Sequence, residues 1–490
     1  MNSLVTKRFL TILSVTLLLA VGFSGCKKFL DLKPENAITR EEFFRTKDDA
    51  TAAIIGCYDA LQSGSGGVAF VTQALNWGEV RADLVNFAAT NTLYMQNLDK
   101  TQNYCVWAPF YNVIGRANLV IEFVPRIPGL DNNFSVNDSK KIIAEAKFLR
   151  ALSYFYLVRT FKDVPLVLQA PSSDDVKYFL PKSSADSVLN QIEADLADAD
   201  ASIPVSYGTN VETRGRATKA AVNALQADVF LWRAKYQQSA DAAQKVLANS
   251  SLYTLVPGAD WLTIFSQKNS SESIFEIQFD NGINETNGLR GVIGSTNNVL
   301  INYLTGESDL MRGLYNTYAQ GNNSWKYNGL TNNSTAISRT GNDPNFIVYR
   351  LPDVMLMKAE ALVHLGNGEP KKEAVKWLDT VRTRVNLTPY DINRGGFLDG
   401  SSSSALMMEI IMKERAMELA HEGKRWYDLV RVATNDSSPN FLVDRVVLSR
   451  SVGDRQLIKS RIIDPRSWYL PIAQSELQAN NQLVQNPFYR

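Results

Sequence analysis

The segment from Glu414 to Arg431 carries a dense set of charged side chains that could do chemistry. Acidic and basic residues share it: Glu414, Arg415, Glu418, Arg425, Asp428 and Arg431. Glycoside hydrolysis needs two carboxyl groups roughly 5 to 10 Å apart across a glycosidic bond. Glu414 and Glu418 are four residues apart, so on a helix they face the same way, among arginines. The spacing favours a structural ion-pair network over a catalytic pair, with Trp426 in the core.

Residues suited to metal binding or nucleophilic catalysis are scarce. The chain has two histidines, His364 and His421, in helical patterns. Histidine is the commonest metal ligand and general base near neutral pH, so a histidine-rich zinc site is excluded. Cys57 and Cys105 lie in apolar stretches and are interpreted as buried free thiols rather than a disulfide. We predict no cofactor; acidic loops leave calcium open, but none has the spacing of a calcium-binding loop.

Two polar loop regions combine aromatic rings with hydrogen-bonding side chains. Sugar rings present C–H faces on which Trp and Tyr stack, and hydroxyls that Asn, Asp and Arg bind. The first region contains Glu79, Arg81, Asp83, Asn86 and Tyr94. The second contains Tyr303, Trp325 and Tyr327, with Asn297, Asn298 and Asn328 nearby. The predicted ligand-binding residues are Arg81, Asp83, Asn86, Tyr94, Tyr303, Trp325 and Tyr327.

Helical periodicity dominates the elements that must position these residues. The predicted helical stretches cover residues 49–62, 107–124, 141–161, 184–201 and 218–249. Trp107 falls at helical spacing with Tyr111 and Ile114, so it is interpreted as packing rather than as a ligand platform. The third stretch should end before Pro165, which lacks a backbone donor.

A weak internal repeat lies within the helical pattern. Ala227 and Ala243 are 16 residues apart, as are Ala359 and Val375. Small residues at fixed positions of paired helices allow close approach, as in tetratricopeptide units. The alternative is a chance similarity between two alanine-rich helical hairpins.

The composition changes between the two repeats. Twelve of the eighteen residues at 281–298 and eleven of the fifteen at 321–335 are Asn, Gly, Ser or Thr. Such segments maintain no apolar face and predict long loops. Residues 274–279 alternate like a short strand just before them. The pattern predicts a loop-rich subdomain inserted into a helical scaffold, and ordered loops on rigid scaffolds are where binding sites concentrate.

The N-terminus has the features of an export signal. Lys7 and Arg8 precede an uncharged run over residues 9–23, and small residues lead to Cys26. This pattern resembles a lipobox, in which the cysteine is lipidated after cleavage; the alternative is an ordinary signal peptide. Several acyl chains anchor far more firmly than one. The full chain carries a net charge of +1, which gives no electrostatic case for binding nucleic acid.

Several segments in order match a known family. They are AEAKFLRA at 144–151, YFYLVR at 154–159, DVPL at 163–166, YRLPDVMLMKAEA at 349–361, ERAMEL at 414–419, EGKRWYDLVR at 422–431, YLPI at 469–472 and QNPFY at 485–489. Over essentially its full length after the signal, the chain resembles the SusD/RagB family of outer-membrane nutrient-uptake lipoproteins. Ala473 stands where the family more often has proline, and Lys27 and Lys28 stand where members often carry acidic residues.

The resemblance implies a mainly α fold: a tetratricopeptide-like helical hairpin scaffold with an inserted irregular, loop-rich subdomain containing a few short strands. It implies the domains 1–25 (signal peptide), 26–45 (lipidated tether), 46–270 (N-terminal helical region), 271–345 (loop-rich ligand-binding excursion) and 346–490 (C-terminal region). It also implies a lipid anchor at Cys26, a cell-surface position in the outer membrane, and a SusC-like TonB-dependent transporter as partner.

The expected function is non-catalytic capture of an oligosaccharide and its delivery to that transporter. In such proteins, ligand contacts come from the corresponding loop regions. The predicted rings would otherwise anchor their own loops or face the transporter. Two other functions stay open: a surface glycoside hydrolase, and a lid for peptide uptake.

Overall fold

The computed structural model describes residues 40–170, 179–332 and 336–490. The predicted signal peptide and Cys26 lie outside these residues. The chain divides into two units between Arg45 and Thr46. A short helix, α1 (Arg40–Phe43), is the described helix of the first unit. Among the described helices, none is both long and apolar enough to cross a membrane.

The second unit is mainly helical. Its α-helices are α2 (Lys47–Gln62), α3 (Phe70–Leu75), α4 (Ala108–Phe123), α5 (Val136–Phe161), α6 (Ala185–Ser202), α7 (Asn210–Gly215), α8 (Lys219–Trp232), α9 (Tyr236–Leu247), α10 (Thr263–Ser266), α11 (Leu289–Val292), α12 (Asn298–Gly306), α13 (Leu351–His364), α14 (Glu369–Arg384), α15 (Ser404–Leu419), α16 (Arg425–Asn435), α17 (Pro439–Leu448), α18 (Arg455–Ile462) and α19 (Gln474–Ala479). A π-helical turn, Asn76–Val80, continues α3.

Short 3₁₀ turns connect the longer elements. They are Asn103–Cys105, Val124–Gly129, Gly258–Asp260, Asn281–Ile283, Gln320–Asn322, Ile392–Arg394, Val452–Asp454, Pro465–Trp468 and Pro487–Tyr489.

The predicted helical stretches are confirmed, and local chemistry explains their ends. Thr46 and Asp49 form a capping box at the start of α2, and the Ser135 hydroxyl accepts the Asp138 N–H at the start of α5. The stretch 218–249 is two helices rather than one. Its break lies at Ala234, whose φ of 55° is outside the helical region.

The repeat corresponds to two helical hairpins. Helices α8 and α9 form the first, α13 and α14 the second, and α9 packs against α13. The hairpins therefore stack on each other although about 100 residues separate them in the chain. Ala227, Ala243 and Ala359 are fully buried, as the close approach of paired helices requires.

Three two-stranded antiparallel pairs complete the fold. They are β1 (Gly64–Ser65) with β2 (Val68–Ala69), β3 (Val85–Asn86) with β5 (Ser295–Thr296), and β4 (Ser273–Ile277) with β6 (Phe346–Arg350). The predicted strand at 274–279 is β4, but all five of its residues are buried, so both faces are covered. Because β4 precedes the loop-rich segment and β6 follows it, their pairing brings the two ends of that segment together.

A buried ion network joins the loop-rich segment to α15. Arg350 donates to Glu272, Glu418 and Glu422, and all four side chains are fully buried. A second arginine, Arg312, donates to Asp309, Glu414 and Glu418. The prediction of a structural network around Glu414 and Glu418 is confirmed, because every acid is engaged by a cation.

The remaining predictions about buried residues are also confirmed. Trp426 and Trp107 are 2% and 3% exposed. Cys57 and Cys105 are buried free thiols. Burial raises the pKa of Cys57 to about 12, and it raises the pKa of Cys105 as well.

Candidate functional site

The β3–β5 pair brings the two predicted loop regions together. Val85 pairs with Thr296 and Asn86 with Ser295. Immediately beyond the pair, Asn297 Nδ2 donates to Asn86 Oδ1 at 2.6 Å and to the Ser449 carbonyl at 2.9 Å. Asn297 Oδ1 accepts the Val299 N–H and so caps α12. One buried amide thus ties together three segments that are distant in sequence.

A cavity of about 670 Å³ opens where these segments meet. Its lining includes Asn86, Phe87 and Tyr94 from the first region and Asn297, Asn298, Val299 and Asn302 from the second. A third wall runs from Leu448 to Arg455. The volume falls within the range of roughly 300 to 1,000 Å³ that is usual for small-ligand sites.

The cavity wall combines aromatic surface with polar groups. The Arg450 guanidinium lies 3.8 Å from the Tyr94 ring centroid and donates to the Arg81, Ala82 and Tyr94 carbonyls. Burial lowers the pKa of Arg450 to about 10. The Phe87 ring lies 5.9 Å from that of Tyr94. Phe87 is half-buried and offers ring surface beside amide donors and acceptors, whereas Tyr94 is 6% exposed and its ring is covered by Arg450.

The α12 residues present free amides to the cavity. Asn298 and Asn302 line it and are exposed. Their side chains form no hydrogen bond with the residues that the structure describes. An amide supplies two donors and a two-lone-pair acceptor, which suits the hydroxyl pairs of a sugar. These two side chains are available to a ligand without first breaking an internal bond.

Arg81 and Asp83, which were predicted to bind the ligand, are instead buried and hydrogen-bonded inside the protein. Arg81 is 1% exposed, donates to the Ser467 and Trp468 carbonyls, and lies 4.0 Å over the Trp426 ring. Asp83 is also 1% exposed and accepts two bonds from Arg425, at 2.7 and 2.8 Å. Burial alone would raise the pKa of Asp83, but Arg425 outweighs it and lowers the pKa.

Trp325 and Tyr327 are buried rings rather than open platforms. They are 6% and 2% exposed. Trp325 Nε1 donates to the Thr331 carbonyl, and the Tyr327 hydroxyl donates to the His421 carbonyl. Tyr303 is half-buried and packs against the cluster that contains Leu300 and Leu304. None of the three lines the cavity.

The structure separates the seven predicted residues into two groups. It brings Asn86 and Tyr94 to the cavity and leaves Arg81, Asp83, Tyr303, Trp325 and Tyr327 outside its lining. Trp325 looked isolated because its local sequence is polar, but it packs on Leu262 and Tyr315. Ligand contact by the five stays a prediction. The contacts of Trp325 with Tyr315 and the Thr331 carbonyl match the alternative that a ring anchors its own loop.

Sequence reasoning missed much of the cavity wall. Phe87 adjoins a predicted residue, and its aromatic side chain was a usable signal. Arg450, Asp454 and Arg455 follow α17 and gave no local signal, because nothing in their composition marks them as neighbours of Asn86. Within the described residues, no cluster of three or more potential metal ligands converges.

Two family models match the chain. The model described as "SusD family" matches residues 276–489, and the one described as "Starch-binding associating with outer membrane" matches residues 28–231. SusD-like protein P38 of Formosa agariphila is 28% identical, over 87% of this chain and 92% of the relative. SusD-like protein P2 of the same organism is 26% identical, over 98% and 99%.

Solved structures share the fold. A laminarin-binding SusD-like protein superposes with a TM-score of 0.68 at 25% identity, covering 91% of this chain and 100% of that one. A SusD superfamily protein from Bacteroides vulgatus gives a TM-score of 0.72 at 21% identity, over 91% and 99%. The second likeness shows the fold alone.

Proposed function

Because the chain belongs to the SusD family, we propose that it is a non-catalytic glycan-binding protein at the outer membrane. It captures an oligosaccharide in the cavity between Asn86 and Arg455 and delivers it to a SusC-like TonB-dependent transporter. A lipid anchor on Cys26 would hold it at the cell surface. The description "Starch-binding associating with outer membrane", attached to the model that matches residues 28–231, supports this location.

The observation that carries the proposal is the composition of the cavity. Phe87 supplies half-buried ring surface, while Asn298 and Asn302 supply free amides. This is the combination by which proteins bind sugars: rings against C–H faces, and amides against hydroxyls. The fold shared with a laminarin-binding SusD-like protein supports oligosaccharide as the class of ligand.

The same lining argues against hydrolysis. Among the described lining residues, Asp454 is the one carboxylate. Glycosidases canonically place two carboxyl groups on either side of the scissile bond. Glu414 and Glu418, the two acids considered as a catalytic pair from the sequence, are fully buried in ion pairs with arginines. These contacts hold both acids away from any sugar.

Calorimetric titration of the full-length chain in detergent with a panel of neutral oligosaccharides tests the proposal. At least one should bind, and chromatography of the mixture should show no shorter product. Asn298→Ala and Asn302→Ala should each weaken binding about three- to tenfold, the value of one or two hydrogen bonds. Asn137→Ala, an exposed amide at the start of α5, should change nothing.

Each other outcome points to a different function. Shorter products that persist after repurification would make the protein a glycoside hydrolase. Absence of binding across the panel would remove glycan as the ligand, and peptides would then be titrated. Delivery is tested separately: the transporter should co-purify with the tagged chain from solubilised outer membranes, and cells lacking the chain should take up the bound glycan more slowly.

A further inference from the structure

A second cleft lies where α5 ends against the C-terminal segment. It has a volume of about 290 Å³ and shares no lining residue with the cavity described above. Its walls come from the end of α5, from Lys182, and from the chain between Pro465 and Pro487. The volume is close to the lower end of the range for small-ligand sites.

Basic side chains predominate around this cleft. Lys162, Lys182 and Arg466 line it, against one acid, Asp163. Arg466 is paired with Asp464 at 2.6 Å, and Asp163 Oδ1 accepts the Ala185 N–H at 3.0 Å. The two lysines form no salt bridge with the part of the chain that the structure describes. The ammonium groups of the two lysines are therefore available to bind an anion in the cleft.

Lys162 has a backbone conformation that lysine rarely adopts. Its φ and ψ are 69° and −83°, close to the strained γ-turn region. Glycine adopts positive φ without the Cβ penalty that L-residues incur. Strained backbone of this kind is concentrated at functional sites. Glycine in place of Lys162 would therefore remove the side chain without adding backbone strain.

The strained backbone places the ammonium group beside an aromatic wall. Lys162 Nζ lies 5.7 Å from the Tyr469 ring centroid, and Tyr469 is half-buried. Lys182 is about half desolvated, and burial lowers its pKa while Asp163 opposes that shift. A ring wall beside two cations suits a sugar that carries a negative charge, because the ring can contact the C–H face of the sugar while the cations bind its anionic group.

We propose that this cleft is a second glycan-binding site, specific for a sugar unit that bears a carboxylate or sulfate group. Lys162 and Lys182 bind the anion, and Tyr469 lies against the sugar ring. The proposal rests on the proposed function in that the ligand is a glycan, but it assigns a separate site. Its lysines form no salt bridge with the described residues, whereas Arg450 and Arg455 of the first cavity donate to backbone carbonyls.

Matched pairs of oligosaccharides test the proposal on the full-length chain. Each pair has one backbone: sulfated and desulfated, or carboxylated and carboxyl-reduced. Calorimetry should show that at least one acidic member binds more tightly than its neutral partner, with the difference shrinking as salt is added. Lys162→Gly and Lys182→Gln should each lower the affinity for the acidic member about tenfold. Lys140→Gln, an exposed lysine on α5, is the matched control.

Lys162→Gly separates binding from folding. Because glycine relieves the positive φ, the thermal midpoint should stay the same or rise while affinity for the acidic glycan falls. Equal binding of acidic and neutral partners, or lysine variants within twofold of the wild type, would overturn the proposal. Asn298→Ala distinguishes the two sites. It should weaken binding of the neutral partner but leave the difference in affinity between the acidic and neutral partners unchanged. Loss of all glycan binding would refute both proposals together.

Discussion

Replacing Arg350 with methionine tests whether the buried ion network stabilises the fold. The guanidinium donates to Glu422 at 2.8 and 2.9 Å, to Glu272 at 2.9 Å, and to the Glu418 carbonyl at 2.7 Å. Burial would lower the pKa of Arg350, but the carboxylates outweigh burial and raise it, so the side chain is charged. Methionine has a side-chain volume similar to that of arginine but no charge. The three glutamates that Arg350 contacts therefore lose one of their cations.

The expected loss of stability follows from that imbalance. Removing one partner of a buried ion pair costs about 3 to 5 kcal/mol, because a buried charge is left uncompensated. Arg384 still contacts Glu272 and Glu418, and Lys326 still contacts Glu422, which keeps the loss within this range. An unfolding entropy of about 2.1 cal/mol/K per residue over some 450 residues converts this loss to a fall in Tm of about 3 to 5 °C.

Urea unfolding followed by tryptophan fluorescence measures the change, with calorimetry for Tm. The control is Lys372→Met, which breaks the exposed pair with Glu369 and should leave the free energy of unfolding unchanged within the error of the measurement. A loss below about 1 kcal/mol for Arg350→Met would refute the reasoning, since it would mean that the network is dispensable.

Two further predictions concern buried titratable groups. Burial lowers the pKa of His421 to about 3 from 6.5, so between these values the unfolded chain binds a proton that the folded chain does not. The free energy of unfolding should therefore fall as pH drops from 6.5, by at most about 1.4 kcal/mol per pH unit. Urea titrations at pH 7 and pH 5 measure this fall, which should be smaller for His421→Asn than for the wild type. Cys57 and Cys105 should resist iodoacetamide in the native state, as followed by mass spectrometry, because burial raises the pKa of each thiol; labelling at the rate of an exposed cysteine would contradict this.

The helical scaffold could be predicted because its signals are local. The apolar spacing of 49–62 or 141–161 is readable within each stretch, and Pro165 marks the end of α5. The small residues at Ala227 and Ala359 indicated paired helices for the same reason. Strand β6 was missed because its residues are buried on both faces and show no alternation, so its pairing with β4 left no periodic signal.

The candidate site could be predicted only in part, because burial in loops depends on distant segments. Trp325 lies in a polar stretch, yet Leu262 supplies its packing from outside that stretch. The local sequence of Arg81 and Asp83 is typical of a loop. In the fold, Arg81 donates to the Ser467 carbonyl and Asp83 accepts from Arg425, and both partners are far away in the chain. Asn86 and Tyr94 reached the cavity because the β3–β5 pair holds their segment at its edge.

The buried charges and the cavity belong to one mechanical arrangement. Helix α15 carries Glu414 and Glu418, which Arg312 and Arg350 hold. Ala416 and Met417 of the same helix, and Ala420 directly after it, pack with Leu300 and Leu304 of α12. Because α12 packs against this helix, Asn298 and Asn302 line the cavity from a rigid helix rather than from a loop. A binding site needs such support, because amides that wander by an ångström lose the geometry that distinguishes one hydroxyl pattern from another. The charged segment that first resembles catalytic machinery thus supports the wall at which we propose that the ligand binds.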